Sequence, residues 1–216
     1  TRYSGIEIPI SATYEAITMS SITIHAGSNP SNLSTGESGI LFANVGKGTN
    51  SGWKKTNSWT SGSLSTNTQY TFRVTTRNGY GYAAGTLEVL KYTSIEAPTG
   101  ATWETGTRNI KIYLNANLTN LSSGEAGIKF ANLTTGKESD WQHSNGWISG
   151  GLTGYTTYRF RITTRNGDGE IGGTYEAEKT TSVEVLGATW EATSSSITAH
   201  LNNEPINIAL GQSGIL

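Results

Sequence analysis

The sequence predicts an all-β chain built as tandem two-sheet sandwiches, and three observations carry that prediction. First, FRVTTRNGYG (Phe72–Gly81) returns as FRITTRNGDG (Phe160–Gly169), 88 positions on, so the chain repeats itself at the scale of a small domain. Second, apolar and polar residues alternate in short runs, the two-residue period of a strand with one buried face. Third, glycine and Ser/Asn clusters punctuate those runs every 8 to 15 residues, and no window sustains a helical period.

Each repeat unfolds in the same order. SATYEA (Ser11–Ala16), GATWET (Gly100–Thr105) and GATWEA (Gly187–Ala192) open three copies. SITIHA (Ser21–Ala26), NIKIYL (Asn109–Leu114) and SITAHL (Ser196–Leu201) follow, with Ile22, Ile24 and Ala26 or their counterparts facing inward. SGILFAN (Ser38–Asn44) matches AGIKFAN (Ala126–Asn132). Next come segments holding Trp53 and Trp59, or Trp141 and Trp147. Tyr70, Phe72 and Val74, like Tyr158, Phe160 and Ile162, then alternate with outward Thr and Arg and run into an Asn-Gly turn. Asn before Gly suits the positive φ that a tight hairpin requires.

The repeat sets the expected boundaries. TRYSGIEIPIS (Thr1–Ser11) matches KYTSIEAPTG (Lys91–Gly100), which joins the first repeat to the second. Residues 1–10 therefore read as the end of a preceding linker, 11–96 and 97–184 as two whole domains, and 185–216 as the first three strands of a third. Short strands in units of this size indicate sandwiches. The third copy breaks off at SGIL (Ser213–Leu216), which predicts a window onto a longer array.

Composition narrows the function. A net charge of −1 gives no basic surface for nucleic acid or anionic lipid. Charged residues are only 14%, and Ser, Thr, Asn and Gly fill the gap, as on secreted and surface β proteins. The absence of cysteine argues against a disulfide-stapled animal ectodomain and against thiol or Cys-ligated zinc chemistry, and fits a microbial extracellular or surface protein better. No apolar run approaches the roughly 20 residues of a membrane-spanning helix.

Leu64-Ser-Thr-Asn-Thr-Gln-Tyr70, then Thr-Phe-Arg-Val and Asn78-Gly79, resembles the later half of a fibronectin type III domain. Leu152 to Tyr158, Phe160 and Asn166-Gly167 match in the same way. The resemblance implies tandem seven-stranded sandwiches, a tyrosine corner at Tyr70 and Tyr158, and an F–G loop opened by the Asn-Gly pair. It also implies a core Trp on strand B, where this chain has Ala26, Leu114 and Leu201. Trp103 and Trp190, with Tyr14 in the corresponding place, lie instead near strand A and predict a repacked core, joined by Trp59 and Trp147. The equivalent loop in fibronectin carries an integrin-recognition tripeptide, which leaves a binding role for this loop open. Arg165-Asn-Gly-Asp168 is not that tripeptide and does not imply integrin binding.

No residue pattern points to catalysis, a cofactor or a metal. His25 and His200 share a repeat position that Tyr113 fills in the second copy, and His143 has no counterpart in the first. Glu15, Glu104 and Glu191 recur beside the strand A aromatic, at outward positions. NGDGE (Asn166–Glu170) has carboxylates spaced for calcium, but the first repeat reads NGYGY and keeps only the turn. Trp53 and Trp141, flanked by polar residues, are candidate ligand or interface contacts that could stack on a sugar or anchor a protein. The competing reading has them cap the open edge of the core. Asn32, Asn117, Asn120 and Asn132 stand in Asn-x-Ser/Thr triplets and are candidate glycan acceptors.

Two functional classes remain open. One is a non-catalytic structural repeat of a long extracellular fibre, sheath, stalk or surface layer, with neighbouring copies or further repeats as partners. The alternative is a carbohydrate-binding or spacer module of a secreted polysaccharide-degrading enzyme or adhesin, with glycans as partners.

Overall fold

The computed structural model describes residues 5–27, 29–183 and 187–202. The first repeat forms β1 (Ala12–Ile17), β2 (Ser21–Ala26), β3 (Gly39–Asn44), β4 (Thr49–Lys54), β5 (Ser58–Gly62), β6 (Gln69–Arg77) and β7 (Ala83–Tyr92). They pair as a three-stranded sheet, β1-β2-β5, and a four-stranded sheet, β4-β3-β6-β7. The second repeat supplies β8 (Ala101–Thr105), β9 (Asn109–Leu114), β10 (Gly127–Asn132), β11 (Lys137–Glu138), β12 (Gly146–Gly150), β13 (Thr157–Arg165) and β14 (Ile171–Thr180). Its sheets are β8-β9-β12 and β11-β10-β13-β14, the same pairing again. Two seven-stranded sandwiches are the architecture expected from the sequence, and the structure divides each into three strands plus four. β15 (Ala188–Ala192) and β16 (Ile197–Leu201) form a hairpin at the start of the third repeat. The boundary expected at 184/185 and the third strand expected over Ser213–Leu216 lie outside the described residues.

Alternation becomes burial. Ile22 and Ile24 of β2, Ile40 and Phe42 of β3, and Phe72 and Val74 of β6 lose all solvent contact in one cluster, against which Tyr14, Trp59 and Tyr70 pack. In the second repeat Ile110, Ile112, Phe130, Phe160 and Ile162 do the same. Strand B carries no Trp, and aromatics from other strands supply the volume. The Trp103 ring lies 5.3 Å from Phe160, tilted by 50°, and Trp147 stacks 6.4 Å from Phe130. Trp103 and Trp147 are half-buried, whereas each fully buried Ile or Phe contributes about 1.5–3 kcal/mol. Trp190, expected in a core, is 69% exposed. Its hairpin has no second sheet against it among the described residues, so its ring has nothing to bury against.

A repeated set of bonds satisfies matching polar groups inside the two sandwiches. Asn44 of β3 donates from its amide to the Ser61 hydroxyl of β5 at 3.2 Å, and Asn132 of β10 donates to Ser149 of β12 at 3.0 Å. Each bond links one sheet to the other through the interior. The Thr93 hydroxyl accepts from the Thr68 amide and donates to the Ser65 carbonyl, and Thr181 repeats this with Thr156 and Thr153. At the corners the Tyr70 hydroxyl accepts from Ser65 N and the Tyr158 hydroxyl from Thr153 N, both at 2.8 Å. The tyrosine corner is therefore present in both repeats.

The hairpin turn departs from the expectation. The left-handed residue is the second glycine, Gly81 (φ 85°) or Gly169 (φ 81°), and not the Asn-Gly pair. Gly81 N donates to Asn78 O and Asn78 N to Tyr82 O, which makes a three-residue loop closed by a left-handed glycine. Asn78 acts through its side chain, whose Oδ1 accepts from Tyr80 N and Tyr82 N. Asn166 does the same for Asp168 N and Glu170 N.

By contact the chain divides into two compact units that cross the repeat boundary. Unit 1 comprises Thr1–Ala97, Asn117–Gly127 and Thr164–Gly173, so it includes two loops of the second repeat. Unit 2 comprises Pro98–Ala116, Ile128–Thr163 and Thr174–Leu216.

The corner bonds give a first prediction. Tyr158→Phe removes the acceptor for Thr153 N and should cost on the order of 1 kcal/mol in urea unfolding. An unchanged midpoint would show that the corner hydroxyl is replaced by water at no cost.

Candidate interaction site

The loops gathered into unit 1 are held by the linker. Glu96 does two things at once. Its carbonyl accepts the Thr164 hydroxyl at 2.8 Å, while its carboxylate accepts Thr119 N and the Thr119 hydroxyl. Glu7, in the equivalent linker position, repeats the pattern. Its carbonyl accepts the Thr76 hydroxyl, and its carboxylate accepts Ser31 N and the Ser31 hydroxyl. The Ser31 bonds hold the Glu7 carboxyl below its ordinary pKa. Beside each glutamate an isoleucine packs on a glycine of the final strand. A side chain at Gly85 would meet Ile8, and one at Gly172 would meet Ile95. Ile95 is 2% exposed.

The Asn166–Glu170 turn is the second element of the site. Asn166 is buried and donates to Thr93 O. Gly167 N donates to Oδ1 of Asn67, whose own amide donates to Thr119 O and Asn120 O. Asn67 is fully buried, at φ 44°. A Cβ at Gly167 would lie 2.3 Å from the Tyr92 ring, so only glycine seats here. Asp168 accepts from Tyr92 N at 2.9 Å.

Charge completes the contact. Lys91 Nζ stands 3.1 Å from Asp168 and 2.6 Å from Glu170, with its side chain 13% exposed. Burial works to lower the Lys91 pKa, but the hydrogen bonds and charges of Glu170 and Asp168 outweigh it and the net shift is upward. The same ammonium lies 5.4 Å from the centre of the Tyr14 ring. The Tyr14 hydroxyl is buried without a hydrogen-bond partner among the described residues. Burial, aided by the Asp168 charge, pushes its pKa up to about 12.

The residues singled out from the sequence fall elsewhere. Trp53, on β4, is 38% exposed, but the Arg77 guanidinium covers its ring at 4.4 Å. Arg77 also faces Glu37 at 3.9 Å. A sugar stacking on Trp53 from that side would have to displace the cation. Trp141 is half-buried and sits outside a strand, because the six-residue β4 is replaced by the two-residue β11 and a single bridge at Gln142. The two Trp residues therefore do not form equivalent platforms.

The four glycan candidates also differ. Asn32 and Asn117 are exposed. The Asn120 amide donates to the Thr68 hydroxyl at 2.9 Å. Asn132 is the fully buried half of the Asn–Ser bridge, so a glycan there is incompatible with the folded second repeat. His25 pairs with Glu15 across β1 and β2 at 3.0 Å, and Lys111 pairs with Glu104 at 3.1 Å, which accounts for the recurrent glutamate as a cross-strand partner. Among the described residues no three His, Cys, Asp or Glu side chains gather as a metal would require. Among the described residues no helix is long and apolar enough to cross a membrane.

The sequence marks these segments as short linkers and the Asn-Gly pair as a tight turn, without the contacts between them. The available signal was the recurrence of Ile-Glu or Val-Glu in SGIEIP, TSIEAP and TSVEVL. A second signal was the change from Tyr80 and Tyr82 to Asp168 and Glu170 with Lys91 upstream.

Two predictions test this geometry. Asn67→Gly keeps the left-handed backbone but leaves Gly167 N without its acceptor, at a cost of about 1–3 kcal/mol. Amide exchange at Gly167 should accelerate, and continued protection would remove Asn67 from the contact. For Tyr14, the folded pKa of about 12 lies above the ordinary 10.0. Between pH 10 and 12 the phenol ionises in the unfolded chain before the folded one, so stability falls as pH rises through that window. Tyr14→Phe should therefore flatten the alkaline limb of the stability curve. It should not lower neutral stability, since it removes a buried hydroxyl that bonds to nothing.

No family model matches the chain, and no curated protein matches it. Among solved structures it is similar to the two-domain fibronectin type III segment of chicken tenascin. That match has 11% identity and a TM-score of 0.49, and it covers 81% of this chain and 100% of the other. It is also similar to the chicken CNTN1 FN1–FN3 domains, with 15% identity and a TM-score of 0.37, over 81% of this chain and 67% of that one. By its own strand pairing, the chain folds as a tandem of fibronectin type III-like sandwiches.

Proposed function

We propose that this chain is a non-catalytic structural repeat segment of an extracellular fibre, sheath, stalk or surface layer, whose partners are further repeats of the same kind. The observation that carries the reading is the twice-repeated linker clamp at Glu7 and Glu96. A flexible spacer gains nothing from a glutamate that ties a strand end through its carbonyl and a loop through its carboxylate. A segment that must transmit tension or hold its place in an assembly does. The Lys91–Asp168–Glu170 cluster adds charge to the same contact within unit 1.

The carbohydrate-binding alternative has less support, because the Trp53 ring is covered by Arg77. Gold-labelled antibody against residues 1–216 should decorate a fibre or surface layer at regular intervals on intact cells or particles of the source. Label confined to soluble secreted enzyme would overturn the structural reading. Retention of the chain on an insoluble polysaccharide, lost in Trp53→Ala or Trp141→Ala, would favour the alternative.

A further inference from the structure

Three Asn-Gly dipeptides occur in this chain: Asn78-Gly79, Asn145-Gly146 and Asn166-Gly167. An Asn followed by Gly is chemically labile, because without a Cβ the glycine nitrogen can approach the Asn side-chain carbonyl. The reaction needs an Asn side chain free to rotate, a glycine N–H not held elsewhere, and water. The three sites differ sharply in these respects.

Asn166 meets none of the requirements. It is 1% exposed, its Nδ2 donates to Thr93 O, and its Oδ1 accepts two amides. Gly167 N is bound by Asn67. Asn78 is half-buried, its Oδ1 accepts Tyr80 N and Tyr82 N, and Gly79 is buried. Asn145 is exposed, and its side chain makes no hydrogen bond among the described residues. The equivalent residue in the first repeat shows what is missing. Asn57 donates to Ala26 O and accepts Ala26 N, which locks its amide on both sides, and the residue after it is Ser58. In the second repeat the backbone takes over that role, with Leu114 N donating to Asn145 O at 2.8 Å, and the side chain is released.

We propose that Asn145 is a site of spontaneous covalent modification, converting through a succinimide to aspartate and isoaspartate while Asn166 stays intact. The Gly146 nitrogen attacks Cγ of Asn145. An N–Cγ bond forms, the Cγ–Nδ2 bond breaks, and the side-chain nitrogen leaves as ammonia, carrying the proton from Gly146 N. Water then opens the ring at either carbonyl. Opening at the backbone carbonyl routes the main chain through the former side chain and adds a methylene to it. That displaces the carbonyl bonded to Leu114 N, whose residue is 3% exposed, at the point where Gly146 pairs with Tyr113. A buried amide left without an acceptor is destabilising. The modification therefore loosens the β9–β12 edge of the second repeat, and the first repeat has no equivalent weak point.

The test is incubation of the full chain at neutral to mildly alkaline pH, followed by peptide mass mapping and isoaspartyl assay, with a denatured sample alongside. In denaturant all three dipeptides should convert at comparable rates. In the native chain Asn145 should convert several-fold faster than Asn78, and Asn166 should show no conversion. Asn145→Gln should abolish the leading modification without altering the fold. Amide exchange at Leu114 should rise in the aged wild-type chain and not in the aged variant. Native conversion of Asn166 as fast as Asn145, or no native conversion at Asn145 when the denatured chain converts, would overturn the proposal.

Discussion

The glutamate in the linker is the interaction on which the interesting part of this structure depends. Thr119 lies in the loop after β9, and Thr164 lies near the end of β13; both bond to Glu96. Those bonds gather the two loops into unit 1 and leave the Asn166–Glu170 turn beside Asn67, Lys91 and Tyr92. Each bond alone is worth about 0.5–1.5 kcal/mol net. Their effect comes from sharing one residue, since ordering Glu96 once serves every bond made to it.

Sparse charge and abundant hydroxyls are consistent with this economy. A sandwich whose strands bury only one stripe each has loops and corners rich in backbone groups, and every buried one needs a partner. Here Ser, Thr and Asn side chains supply them at matching positions: Ser61 and Ser149, Thr93 and Thr181, Asn44 and Asn132. The composition that suggested a surface protein is thus also what satisfies the interior. It explains why an Asn-x-Thr triplet can be a core element: Asn132 looks like a glycan acceptor and is a bridge between sheets.

The architecture was legible because period and alternation are properties of the local sequence. Ile22 and Ile24, or Phe160 and Ile162, are buried as their spacing requires. The tyrosine corner was legible through the family resemblance that the Leu-to-Tyr segments carry. The site was not, for a physical reason. The contacts of Asn67 with Gly167 and of Lys91 with Asp168 join residues far apart in sequence, and neither pattern nor propensity registers such pairs. The turn was read correctly as a turn but assigned to the wrong residue. An Asn-Gly pair signals left-handed backbone, whereas here Asn accepts amides and the later glycine bends.

Repeat number two is not a copy of repeat number one with substitutions scattered at random. Where Tyr80 and Tyr82 stand in the first turn, Asp168 and Glu170 stand in the second, and Lys91 meets them. Where Asn57 bonds β2 through its side chain, Asn145 bonds β9 through its backbone. In both cases the fold is kept while the means of holding it changes, because a β ladder accepts any donor and acceptor at the right height. That tolerance lets the repeats diverge at their contacts without losing the sandwich. It also means that the residues that distinguish one junction from another are those the common pattern leaves free to vary.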